Sequence, residues 1–115
     1  SAVYADINGD AQKELIITGD YMGVQAFSYV NKKFVPLNIG LEKNYGWWQQ
    51  IKLADLDGDG DLDMVLGNKG ENFYLHPTAE NPVKIWIKDF DQNDTIDKVF
   101  TQGIGGRDMP VFMKK

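Results

Sequence analysis

The chain has no cysteine and one histidine, His76, in 115 residues. No disulfide framework, thiol nucleophile or thiolate metal site is therefore available, and a lone imidazole beside Pro77 makes neither a zinc site nor a catalytic triad. Lack of cysteine fits cytosol, periplasm and cell surface equally. Basic charge is scarce. The formal net charge is −5, which disfavours nucleic acid and anionic membrane as partners, because both demand basic patches. No apolar run approaches the roughly 18 residues of a membrane span, so no membrane insertion is expected. The start carries no charged, apolar and small-residue leader pattern. It opens on a strand-like segment, residues 2–7, which leads us to expect a piece of a longer protein. No stretch offers a capped, amphipathic helix of about ten residues.

What the chain does have is acid, and it is clustered. Of 17 acidic residues, 12 fall in three short segments. The densest is Asp55-Leu-Asp-Gly-Asp-Gly-Asp-Leu-Asp63, with five carboxylates in nine positions. Such a segment folds tightly when a cation sits among the charges. Asp55, Asp57, Asp59 and Asp63 stand at its first, third, fifth and ninth positions, with Gly60 at the sixth, where the backbone must turn. Hard oxygen donors at that spacing around a glycine are what a short loop needs to wrap Ca²⁺. Asp61, at the seventh position, is expected to offer its backbone carbonyl and leave its carboxylate in water. A solvated acidic turn or an acidic linker is the plain alternative. Against both stands the apolar run Met64-Val-Leu66 that follows directly.

The same spacing recurs twice. Asp6, Asn8, Asp10 and Glu14 repeat it in loop 6–14, with Ala11 at the turn and Gln12 at the seventh position. Asp89, Asp91, Asn93 and Asp97 repeat it in loop 89–97, with Asp94 at the turn and Thr95 at the seventh. Alanine in a left-handed turn costs on the order of 1 kcal/mol, and Asn8 and Asn93 each remove a ligand charge. The first and third loops are thus expected to bind more weakly than the central one, or, for the first, to keep its shape empty.

The flanks of all three loops are β-branched, aromatic and alternating, so strands are expected on both sides. Residues 15–18, 24–30, 34–37, 47–54, 64–68, 82–90 and 98–102 read as strands, with Pro36 suited to an edge. Residues 20–23, 31–33 and 69–72 read as turns, 38–46 as a connection, 103–108 as a flexible turn and 109–113 as the closing segment. The adjacent Trp47 and Trp48 are expected on opposite faces of one strand. In residues 82–90, Val83, Ile85 and Ile87 share one face, and Lys84, Trp86 and Lys88 the other. Units of strand, acidic loop, apolar strand and glycine, with loops starting 49 and 34 residues apart, are a signature of repeat architectures.

The stretch ADLDGDGDLDMVLGNK, echoed by ADINGDAQKELIITG and KDFDQNDTIDKVF, resembles the FG-GAP/VCBS repeats of integrin-α-type β-propellers and their bacterial secreted and surface relatives. The resemblance implies an all-β fold across residues 1–115: a partial β-propeller of about two blades of antiparallel strands, with Ca²⁺-binding loops between strands. It implies a non-catalytic, calcium-stabilised scaffold for extracellular protein or glycan binding and adhesion, at an extracellular, periplasmic or surface address. The competing reading is an accessory propeller of a larger secreted carbohydrate-active enzyme. Ala11 and Asp94 depart from the family's usual glycine. Because a complete propeller needs at least four blades, self-association or the remaining blades are expected to cover the open sheet edges.

Overall fold

A computed structural model describes residues 1–70 and 73–111. Glu71 and Asn72 of the expected turn at 69–72, and residues 112 and 113 of the closing segment, lie outside the described residues. Every regular element among the described residues is a strand, and every strand pair is antiparallel. The chain divides into two compact units, Ser1–Lys69 and Gly70–Lys115.

The first unit holds two sheets. Strands β1 (Ala2–Ala5), β2 (Glu14–Ile17), β4 (Gln25–Val30) and β5 (Lys33–Leu37) form one in the order β1-β2-β4-β5. Strands β3 (Asp20–Met22), β6 (Gly46–Ala54) and β7 (Asp63–Asn68) form the other in the order β3-β6-β7. β4 and β5 are joined by a two-residue turn, with Asn31 and Lys32 both at positive φ, the hairpin geometry that matches strand twist. Pro36 sits on the edge strand β5 opposite Phe27, where its missing N–H breaks no inner ladder.

Period-two patterning places the core. Ile16, Val24, Ala26 and Ile51 are fully buried, and Val3, Ile7, Leu37, Ile39, Leu41, Leu53, Met64 and Leu66 pack against them. Each large aliphatic chain removed from water contributes about 1.5–3 kcal/mol. The cluster's members include Val3, Ile7 and Ile16 of the first hairpin and Ile51, Leu53, Met64 and Leu66 of the second, so one hydrophobic core anchors both. Gly23 marks its tightest backbone approach: a β-carbon there would stand 2.1 Å from the Glu42 carbonyl oxygen.

Residues 20–23 are a correction. They are not a turn: Asp20 and Met22 pair with Trp47 and Gly46 of β6 through an irregular register, and Tyr21 adopts φ +62° between them. Tertiary pairing overrides the polar, glycine-ended local pattern here, and the bulge turns Tyr21 edge-on against Trp47 at 5.9 Å. Trp47 is 8% exposed and Trp48 half-buried, so the two rings do part to different environments.

In the second unit β8 (Val83–Lys88), β9 (Asp97–Ile104) and β10 (Arg107–Pro110) form a sheet in the order β10-β9-β8. Residues 103–108 are a second correction. The expected flexible turn is a tight hairpin whose two central residues, Gly105 and Gly106, have φ of +58° and +76°. Paired positive-φ glycines are what a two-residue turn requires, so the glycines fix the strands rather than loosen them. Alternation on β8 leaves Val83 and Ile85 half-buried but Ile87 exposed.

Candidate metal centres

Each acidic loop is the turn of one hairpin: 6–14 joins β1 to β2, 55–63 joins β6 to β7, and 89–97 joins β8 to β9. The first two are built by one pattern of amide-to-side-chain hydrogen bonds, which the third follows at its first, fifth and ninth positions with a shifted first bond. The carboxylate at the first position straddles the turn. In the central loop Asp55 Oδ1 accepts from the Gly58 amide at 2.7 Å and Oδ2 from the Gly60 amide at 3.0 Å. In the first loop Asp6 Oδ1 accepts from Gly9 at 2.7 Å and Oδ2 from Ala11 at 2.8 Å. In the third, Asp89 accepts from the amides of Asn93 and Asp94 at 3.1 and 3.0 Å.

The remaining positions repeat as closely. Side-chain oxygens of Asn8 and Asp57 accept from the amides of Asp10 and Asp59. Those of Asp10, Asp59 and Asn93 accept from the amides of Gln12, Asp61 and Thr95. The ninth-position carboxylate closes each ring: Glu14, Asp63 and Asp97 accept from the amides of Ile7, Leu56 and Phe90 at 3.1, 2.8 and 3.0 Å. The third loop adds bonds of its own, from Asn93 Nδ2 to Asp91 and from the Thr95 hydroxyl to Asn93 Oδ1. Residues at the seventh position, Gln12, Asp61 and Thr95, thus enter the network through their amides.

This network requires two left-handed residues per loop, at the fourth and sixth positions. They are Gly9 and Ala11, Gly58 and Gly60, and Gln92 and Asp94, with φ between +59° and +95°. Sequence reasoning identified the sixth position and missed the fourth. Gly9 and Gly58 carried the signal; Gln92 carried none.

The loops differ in how far they gather charge. Carboxylate oxygens of Asp55, Asp57 and Asp63 lie within 4.8 Å of one another, as do those of Asp89, Asp91 and Asp97. The central group does not include the fifth-position carboxylate, Asp59. In the first loop Asp6, Asp10 and Glu14 form no such group among the described residues. Two carboxylates at that range repel by about 1 kcal/mol even in a water-like dielectric, so each gathered triad favours a cation. The donors of both triads are all oxygen, which is the chemistry that suits a hard divalent ion. Desolvation alone would raise the Asp6 pKa, but the amides of Ala11, Gly9, Asn8 and Asp10 outweigh it and hold that carboxyl below its ordinary value.

A sequence profile described as FG-GAP-like repeat matches residues 6–66, just over half of the chain. The chain belongs to the FG-GAP-like repeat family. The matched span holds the first two loops of this FG-GAP-like chain; the third, beyond it, follows their hydrogen-bond frame at its first, fifth and ninth positions. Comparison with curated proteins and with solved structures finds no match to either. Among the described residues no helix is long and apolar enough to cross a membrane.

Proposed function

We propose that this FG-GAP-like repeat chain is a calcium-binding, non-catalytic β-module, in which Ca²⁺ fixes the three hairpin turns and so stiffens a scaffold for extracellular recognition. The single observation that carries the reading is the convergence of Asp55, Asp57 and Asp63 within 4.8 Å on an amide frame that holds their backbone ready. Asp59 and the Asp61 carbonyl complete the central set. Asp89, Asp91, Asn93, Asp97 and Thr95 supply the third site, and Asp6, Asn8, Asp10, Glu14 and Gln12 the first. Because the ion binds the folded loops and not the unfolded chain, occupancy adds stability by linkage, about 2.7 kcal/mol at a hundredfold excess over Kd. Thermal melts in excess Ca²⁺ and in excess EDTA test this. The midpoint is expected to fall by several degrees in EDTA, and coincident melts sink the proposal.

Two exposed rings favour adhesion as the use of the scaffold. Trp47 is packed against Tyr21 and Trp48 donates its indole N–H to the Asn44 carbonyl, but Trp86 and Tyr74 are 46% and 58% exposed. Trp86 is held in place by its N–H bond to Thr101 Oγ1 at 2.9 Å, and Lys84 Nζ lies 5.9 Å from its ring centroid. A ring fixed in this way beside a cation suits a sugar ring or a protein side chain. Trp86→Ala should abolish retention on a glycan array while leaving the calcium-loaded melt within a few degrees. An unchanged array profile argues instead for an accessory propeller of a secreted carbohydrate-active enzyme.

A further inference from the structure

We propose that Asn8 is a site of spontaneous deamidation, and that its conversion to aspartate gives the first loop the fourth carboxylate that the central loop has in Asp57. Asn8-Gly9 is the one Asn-Gly pair in the sequence, and both residues are exposed. Beyond that pairing, the loop places a group on each atom of the reaction. The Gly9 amide, the nucleophile, donates to Asp6 Oδ1 at 2.7 Å, which draws on its N–H. Asn8 Oδ1, which gathers negative charge as its carbon is attacked, accepts from the Asp10 amide at 3.0 Å. Among the described residues the leaving nitrogen, Nδ2, has no hydrogen-bond partner. Apart from its two chain neighbours, no atom of the described residues lies within 4 Å of where a Gly9 β-carbon would be, so no other segment crowds the peptide as it turns onto the side chain.

The steps balance. Hydroxide takes the proton of Gly9 N, which bonds to Asn8 Cγ; the intermediate collapses, Nδ2 takes a proton from water, regenerating hydroxide, and leaves as ammonia, and a five-membered imide remains. Water then opens the ring. Breaking the Cγ–N bond gives aspartate, and breaking the backbone C–N bond gives isoaspartate, with one extra carbon in the main chain. Asn93 is the internal contrast: Asp94 follows it, and its Nδ2 is tied to Asp91 Oδ2 at 3.0 Å.

The consequence for metal rests on the calcium reading above. Aspartate at position 8 adds charge without moving the frame, whereas isoaspartate lengthens the backbone inside the ring of bonds that Asp6 makes to residues 8, 9 and 11.

The test incubates the full chain in EDTA at mildly alkaline pH and follows the amide-to-acid mass change of each asparagine peptide, with fragmentation that separates aspartate from isoaspartate. Asn8 is expected to react at least tenfold faster than Asn93, at a rate cut by a similar factor in Gly9→Ala, a change the loop accommodates as it does Ala11 at φ +66°. Equal lifetimes for Asn8 and Asn93, or a Gly9→Ala chain that reacts as fast, overturn the chemistry. Separately, Asn8→Asp should tighten calcium at the first loop on the order of tenfold. An unchanged first-loop affinity while the central loop still binds overturns the proposed gain; loss of binding at every loop instead overturns the calcium reading and leaves the mass result standing.

Discussion

The central loop and the first loop share a backbone and differ in what they do with charge. Both hang their turn from one aspartate, Asp55 or Asp6, through amides three and five residues on. The central loop then draws three carboxylates together, while the first does not, and ends on Glu14, which is 1% exposed where Asp63 is half-buried. The comparison teaches that shape and charge are separable. Amides bonded to carboxylate oxygens make the turn; whether carboxylates stand together at the first, third and ninth positions sets how strongly their repulsion favours a cation.

The largest expected effect breaks both properties at once. Asp55→Ala removes the acceptor of two amides together with a proposed ligand, and calcium titration should show central-loop affinity falling on the order of a hundredfold. An affinity within threefold of the parent would mean that Asp55 builds the turn without touching the ion. Next comes the ninth position, measured by urea unfolding in EDTA. Glu14→Ala leaves the partly buried Ile7 amide without its acceptor and should cost about 1–3 kcal/mol, whereas Asp63→Ala, freeing an amide that water reaches, should cost less than about 1 kcal/mol. Equal costs would erase the distinction between a structural and an ion-gathering closure. The smallest effect sharpens the turn itself. Gly60→Ala places a β-carbon at φ +95° and should cost on the order of 1 kcal/mol, while Ala11→Gly, at φ +66°, should return a similar amount. If Ala11→Gly fails to stabilise, the first loop's frame holds alanine there without strain.

Much of this was readable from residue order. The nine-residue acidic spacing located all three hairpin turns, and alternation placed strands on either side of each. Two segments misled for the same reason. Residues 20–23 carry turn-like chemistry but supply an edge strand because β6 offers unpaired backbone groups to Asp20 and Met22. Residues 103–108 carry glycines that suggest slackness but form a hairpin, because two positive-φ glycines in succession fit the twist of β9 and β10. The fourth-position turn was legible at Gly9 and Gly58 and invisible at Gln92, where the Asp89 bonds hold a non-glycine residue left-handed. Nor could spacing separate Trp47 from Trp48: a strand sends neighbours to opposite faces, but which face meets Tyr21 depends on the partner strand.

By itself the sequence determined the period of the strands, the places where carboxylates would crowd, and the chemistry of the ion they suit, because each depends on residues within a few positions of one another. Tertiary structure decided which carboxylates meet, that Glu14 is enclosed while Asp63 is not, and which tryptophan remains exposed. Those outcomes depend on pairing and burial between segments distant in the chain, and such contacts are fixed only when the hydrophobic core closes.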